Sequence, residues 1–115
     1  MNLSNPILIC DEKEEFRVLI RDMLTKNGFF HVFEAASSEE AKELLNNKND
    51  FFVIIESRAI NKEIHDLLGK QKNFIIFADH SDPKTFLLCT QLGVNHVMSY
   101  PFHSRKLIEK INSLI

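Results

Sequence analysis

Five short apolar runs recur along this 115-residue chain at nearly constant intervals, beginning near Ile7, Phe30, Phe51, Phe74 and Asn95. The steps between them are 23, 21, 23 and 21 residues, each long enough for one strand and one crossover helix. The segments between the runs have helical period. Phe16, Leu19, Ile20, Met23 and Leu24 recur at i, i+3, i+4, i+7 and i+8, and Gly28 follows as a stop signal. Ser37 with Glu40 has the pattern of a capping box ahead of Ala41, Leu44 and Leu45. A third, short helix is expected around Lys62 to Lys70, with Ile64, Leu67 and Leu68 on one face. A fourth starts at Asp82-Pro83, Asp as N-cap and Pro as first helical residue, and a fifth after Pro101 carries Leu107, Ile108, Ile111 and Leu114.

Strict alternation of strand and helix implies a doubly wound five-stranded parallel sheet with helices on both faces and right-handed crossovers. The flavodoxin-like order 2-1-3-4-5 is the natural one for five strands, and it sets strands 1 and 3 side by side at the switch point. Residues 1–115 read as one α/β domain, with no linker or low-complexity tract. A formal charge of −2 offers nothing to a nucleic-acid backbone or an anionic membrane. Two lone cysteines suit a reducing compartment, and no apolar run approaches membrane-spanning length, so a cytoplasmic protein is expected.

Candidate chemistry concentrates in three acids. Asp11 and Glu12 follow the first apolar run, Pro6 to Cys10; Glu56 follows the third, Phe51 to Ile55. Any one of them alone would be an ordinary solvated strand end. Three on adjacent strands define a pocket beyond the carboxyl ends of the sheet, where ligands of such folds bind. That pocket attracts a cation and repels an unescorted phosphate. Nucleotide binding is excluded on another ground: the residues after strand 1 read Asp-Glu-Lys-Glu-Glu, without the glycines that open backbone amides to an anion. No G-x-S-x-G elbow is present, and the five histidines share no metal-ligand spacing.

In order and spacing these features resemble the receiver domain of bacterial two-component response regulators, over essentially the whole chain. Ile7 to Glu12 is similar to the family's first strand and acidic pair, and Phe51 to Glu56 to its third strand and phospho-acceptor. Phe74 to Ala78 is similar to its fourth strand. Leu92-Gly93-Val94 and Ser99-Tyr100-Pro101-Phe102 resemble its A-G-A and K-P-F signatures. The resemblance implies acyl-phosphate formation on an Asp, assisted by Mg²⁺ on the acidic pair, by a Lys after strand 5 and by a Ser or Thr after strand 4. Here the acceptor position is Glu56, the hydroxyl position Ala78, the Lys position Tyr100, and the aromatic switch position Val97.

Magnitudes decide what these changes mean. The extra methylene of Glu moves the carboxylate out by about 1.5 Å at most. A misplacement on the order of 1 Å already costs about 100-fold in a positioned reaction. Each lost electrostatic donor costs a further ~3 kcal/mol. A degenerate, pseudo-receiver type follows: a non-enzymatic signal-transduction module regulating a protein partner or an attached effector domain without ordinary phosphorylation. The alternative is a residual Mg²⁺-dependent phospho-accepting receiver; a small metal-dependent hydrolase on Asp11, Glu12 and Glu56 ranks last, for want of a nucleophile. No cofactor is required. Mg²⁺ on the three acids is the candidate metal, and Arg58 the candidate substitute cation. The resemblance places the interaction surface, including a homodimer contact, on helix 4, strand 5 and helix 5. There Phe86, Leu87 and Thr90 are expected to face the sheet, Lys84, Leu88 and Gln91 to face outward, and Arg105 and Lys106 to stand beside them.

Overall fold

The computed structural model describes residues 5–46, 48, 50–71, 73–78, 83–84, 87, 97–99 and 103–114. Strands β1 (Ile7–Cys10), β2 (Val32–Ala35), β3 (Phe52–Glu56), β4 (Asn73–Ala78) and β5 (Val97–Ser99) form one sheet in the order β2-β1-β3-β4-β5. Every pairing is parallel, with Cys10 opposite Ala35 on one side and Ile55 on the other. This is the doubly wound order expected from the strand spacing. Helices α1 (Glu14–Thr25), α2 (Ser38–Asn46) and α3 (Lys62–Leu68) and a C-terminal helix, Ser104–Ser113, cover it.

Alternation along each strand assigns the faces. Ile7, Ile9, Phe52, Ile54, Ile75, Phe77 and Met98 pack with Ile20 and Leu24 of α1 and with Leu107 and Ile111 of the C-terminal helix. Leu8, Cys10, Val53, Ile55 and Ile76 turn the other way, onto Ala41 and Leu45 of α2 and Ile64 and Leu68 of α3. The central strands are apolar at every position because helices bury both of their sides.

Local signals behave as their chemistry requires. Gly28 ends α1 at φ 90°, a left-handed conformation that a Cβ disfavours. Ser37 Oγ accepts the Glu40 amide at 3.2 Å, and Glu40 Oε2 reaches back to the Ala36 amide at 2.7 Å. The capping box is therefore reciprocal, with its return bond one residue earlier than the usual pattern. Asn61 caps α3 by accepting the Ile64 amide at 2.9 Å.

Three expectations change. Leu19 is 47% exposed, because the stripe of α1 that meets the sheet centres on Phe16, Ile20, Met23 and Leu24 and leaves Leu19 off its edge. Strand β2 begins at Val32 rather than near Phe30. After the Gly28 turn it is Phe29 that enters the core, and Phe30 is left 74% exposed. Leu87 does not face the sheet but is 61% exposed. It lies one helical turn beyond Lys84, also exposed, and shares its side. Phe86, Leu88, Thr90, Gln91 and Tyr100 lie outside the described residues.

Candidate functional site

The sheet sets the acids at one end of the molecule. Asp11 directly follows β1, and Glu56 is the last residue of the adjacent strand β3. Both are buried, whereas Glu12 is exposed. Ala78, buried at the end of β4, contributes a methyl group and no hydroxyl, and Val97 is a half-buried aliphatic in β5.

Each buried carboxylate is already engaged. Asp11 Oδ1 accepts the Lys13 amide at 2.9 Å. Glu56 Oε2 accepts the Arg58 amide at 2.8 Å, and its Oε1 accepts Arg58 Nε at 2.9 Å. Ser57 Oγ donates to the same Oε1 at 3.4 Å. Glu56 thereby caps the short 3-10 turn Ser57–Ala59 and pairs with the guanidinium that this turn carries. The Arg58 guanidinium is held above its usual range, chiefly by its hydrogen bond and charge interaction with Glu56, with Glu12 and Asp11 adding smaller contributions.

A second network braces the site from behind. Arg17 of α1 donates Nη1 to the Asp11 carbonyl at 2.7 Å and Nε to Glu34 Oε1 at 3.1 Å. Arg21 donates Nε to the other oxygen of Glu34 at 2.8 Å and Nη2 to the Val32 carbonyl at 3.1 Å. On the opposite face Ser38 Oγ donates to the Ala59 carbonyl at 2.7 Å, and Lys42 pairs with Glu63 between α2 and α3. None of Arg17, Arg21, Glu34 or Ser38 stood out in the sequence. The only available signal was the i, i+4 pair of arginines on α1, whose acceptor lies on another element.

The Mg²⁺ that the resemblance implies does not fit the residues as arranged. Both oxygens of Glu56 carry hydrogen bonds from Arg58, and one oxygen of Asp11 carries that from Lys13. Among the described residues no three His, Cys, Asp or Glu side chains stand together as a metal ligand set.

Cys10, buried at the end of β1, shares this environment. Burial first, then the charges of Asp11, Glu40 and Glu56, push its thiol from 9.0 up to about 12, with Arg17 opposing. The folded pKa lies above the unfolded one, so the associated stability is complete below about pH 9 and is lost as pH rises toward 12. Between pH 8 and pH 10.5 the wild type should lose about 2 kcal/mol more than Cys10→Ala, measured by urea unfolding. Equal losses in the two proteins would mean that the thiolate is tolerated in the fold.

The fold and site together define a class, the doubly wound α/β domain with acids at the switch point. Comparison with known proteins narrows it. No family model matches the sequence. The chain is 26% identical to "Probable chemotaxis protein CheY" of Rhizobium etli over 94% of its own length and 90% of that protein. It is 27% identical to "Chemotaxis protein CheY" of Bacillus subtilis, over 98% of its length and 99% of the relative. Its fold matches the chemotaxis response regulator CheY4 of Vibrio cholerae with a TM-score of 0.79 at 14% identity, covering 97% of this chain and 99% of that one. The chain is thus similar along its length to two chemotaxis CheY proteins, and its fold is the CheY-like, flavodoxin-type one.

Proposed function

We propose that this receiver domain is a phosphorylation-independent regulatory module of phosphorelay signalling, cytoplasmic and non-catalytic, that works by binding a protein partner or an attached effector domain. The observation carrying this reading is Glu56. The acceptor position at the end of the central strand holds a longer, buried carboxylate that is hydrogen-bonded on both oxygens by Arg58. A carboxylate so engaged is a poor nucleophile toward phosphorus, and neighbouring Ala78 supplies no hydroxyl to a phosphoryl oxygen. The proposed docking face comprises Lys84, Leu87 and β5 with Arg105 and Lys106, all four of these side chains exposed and rich in positive charge. It suits an acidic protein surface, or a second copy of the chain bringing acidic residues. Among the described residues no helix is long and apolar enough to cross a membrane.

The test is incubation of the purified protein with acetyl phosphate or phosphoramidate and Mg²⁺, followed by intact mass measurement. No phosphoryl adduct is expected at concentrations that label an ordinary receiver to completion. An adduct mapping to the peptide that contains Glu56 and Ser57 would overturn the proposal and restore phospho-acceptance.

A further inference from the structure

We infer that Arg58 is a built-in counter-ion for the acidic pocket, its guanidinium standing where this fold would otherwise seat a divalent cation on Glu56. The inference deepens the proposed function by naming what regulates the same site. It rests on that reading only for its biological meaning, since the occupancy itself is measured separately.

Geometry carries it. One residue, two positions beyond Glu56, engages both carboxylate oxygens: its amide takes Oε2 at 2.8 Å and its Nε takes Oε1 at 2.9 Å. An oxygen-seeking divalent ion needs several oxygens at about 2.0–2.6 Å, with carboxylate lone pairs free to turn toward it. Here three of the roughly four lone-pair directions of Glu56 are taken: Oε2 accepts the Arg58 amide, and Oε1 accepts Arg58 Nε and Ser57 Oγ. The charge is compensated as well, because the guanidinium lies in the field of Glu56, Glu12 and Asp11 together.

The arrangement is a latch rather than a fixed wall. The backbone of the turn is anchored: Ser38 Oγ binds the Ala59 carbonyl, the Ile60 amide binds the Ser57 carbonyl at 3.2 Å, and Asn61 caps the next helix. The Arg58 side chain, by contrast, is 66% exposed while that of Glu56 is only 10% exposed. The guanidinium can leave into solvent, whereas the carboxylate stays in place. Cation binding at Oε1 and pairing by the Arg58 side chain are then mutually exclusive, while the amide keeps its bond to Oε2, and apparent cation affinity is reduced by the fraction of molecules in which the latch is closed.

Titration of the protein with MnCl₂ alone, followed by paramagnetic broadening of backbone amide signals, tests this. In the wild type the amides of Asp11, Glu12 and Ser57 should broaden weakly. Arg58→Ala should broaden them at a Mn²⁺ concentration at least about tenfold lower, a gain that also includes the removal of one repelling charge. Arg58→Lys separates the two effects, because it keeps the charge and loses the planar fork. It should bind severalfold tighter than wild type. Wild-type-like binding by Arg58→Lys, or equal binding by all three proteins, overturns the latch. Because Arg58 is a surface side chain, the variants should retain the wild-type circular dichroism spectrum. Phosphorylation of the wild type by acetyl phosphate would sink the proposed function without altering the order of the three Mn²⁺ affinities.

Discussion

Phe77→Ala should destabilise the domain by about 3–5 kcal/mol, a large share of the roughly 5–15 kcal/mol that holds a domain of this size folded. Phe77 is fully buried in β4, on the face shared with α1 and the C-terminal helix. Its ring meets Phe16 of α1 edge-on, with centroids 6.1 Å apart. Truncation would open a cavity between the sheet and that helical layer and remove the aromatic pair with it. The backbone on both sides of the residue is fixed by pairing with β3 and β5, so the site has little freedom to collapse. Urea unfolding should show a much lower midpoint with an unchanged slope. A shift worth less than about 1 kcal/mol would mean that neighbouring side chains refill the space.

Arg17→Ala should cost about 2–3 kcal/mol even though the residue is an arginine on a helix. Its side chain is only 14% exposed and joins three elements, binding the carbonyl after β1 and the carboxylate of Glu34 on β2 from its place on α1. Removal strips the Asp11 carbonyl of its side-chain donor in a partly buried position, where water replaces a charge-assisted bond poorly. Glu34 keeps Arg21, which limits the loss. Arg17→Lys should recover less than half of it, because a single ammonium cannot reproduce a planar fork that spans two acceptors. The measurement is again the urea midpoint, accompanied by the amide shifts of Asp11 and Lys13, which should move with it. Full rescue by lysine would show that charge alone matters and that the fork geometry does not.

How far the sequence reached depends on the range of the interaction. Gly28 and Ser37 with Glu40 act on backbone within a few residues, so their stop and cap roles follow from local chemistry, whereas the Asn61 cap of α3 emerged only in the structure. Misplacements arose where a local pattern had two acceptable outcomes. Leu19 lies at the margin of a helical stripe, and either Phe29 or Phe30 could have entered the core after the glycine turn; in both cases the shape of the neighbouring layer chose. The acids were legible as a group because each ends an apolar run. Their partners were less so: Arg58 stood out only as one candidate cation among other outcomes for the pocket.

Strand number, parallel pairing, the two buried faces and the helices α1, α2, α3 and Ser104–Ser113 were legible in the sequence by itself. These follow from a side-chain period of two in strands and 3.6 in helices, which the backbone imposes wherever apolar residues must leave water. Only the tertiary structure decided that Glu56 closes on Arg58, that Glu34 is shared by Arg17 and Arg21, and that Ser38 ties α2 to the turn beyond β3. The physical reason is that burial is scored residue by residue along the chain. A directed hydrogen bond between charged groups exists only once the sheet order has brought its donor and acceptor to within about 3 Å of each other.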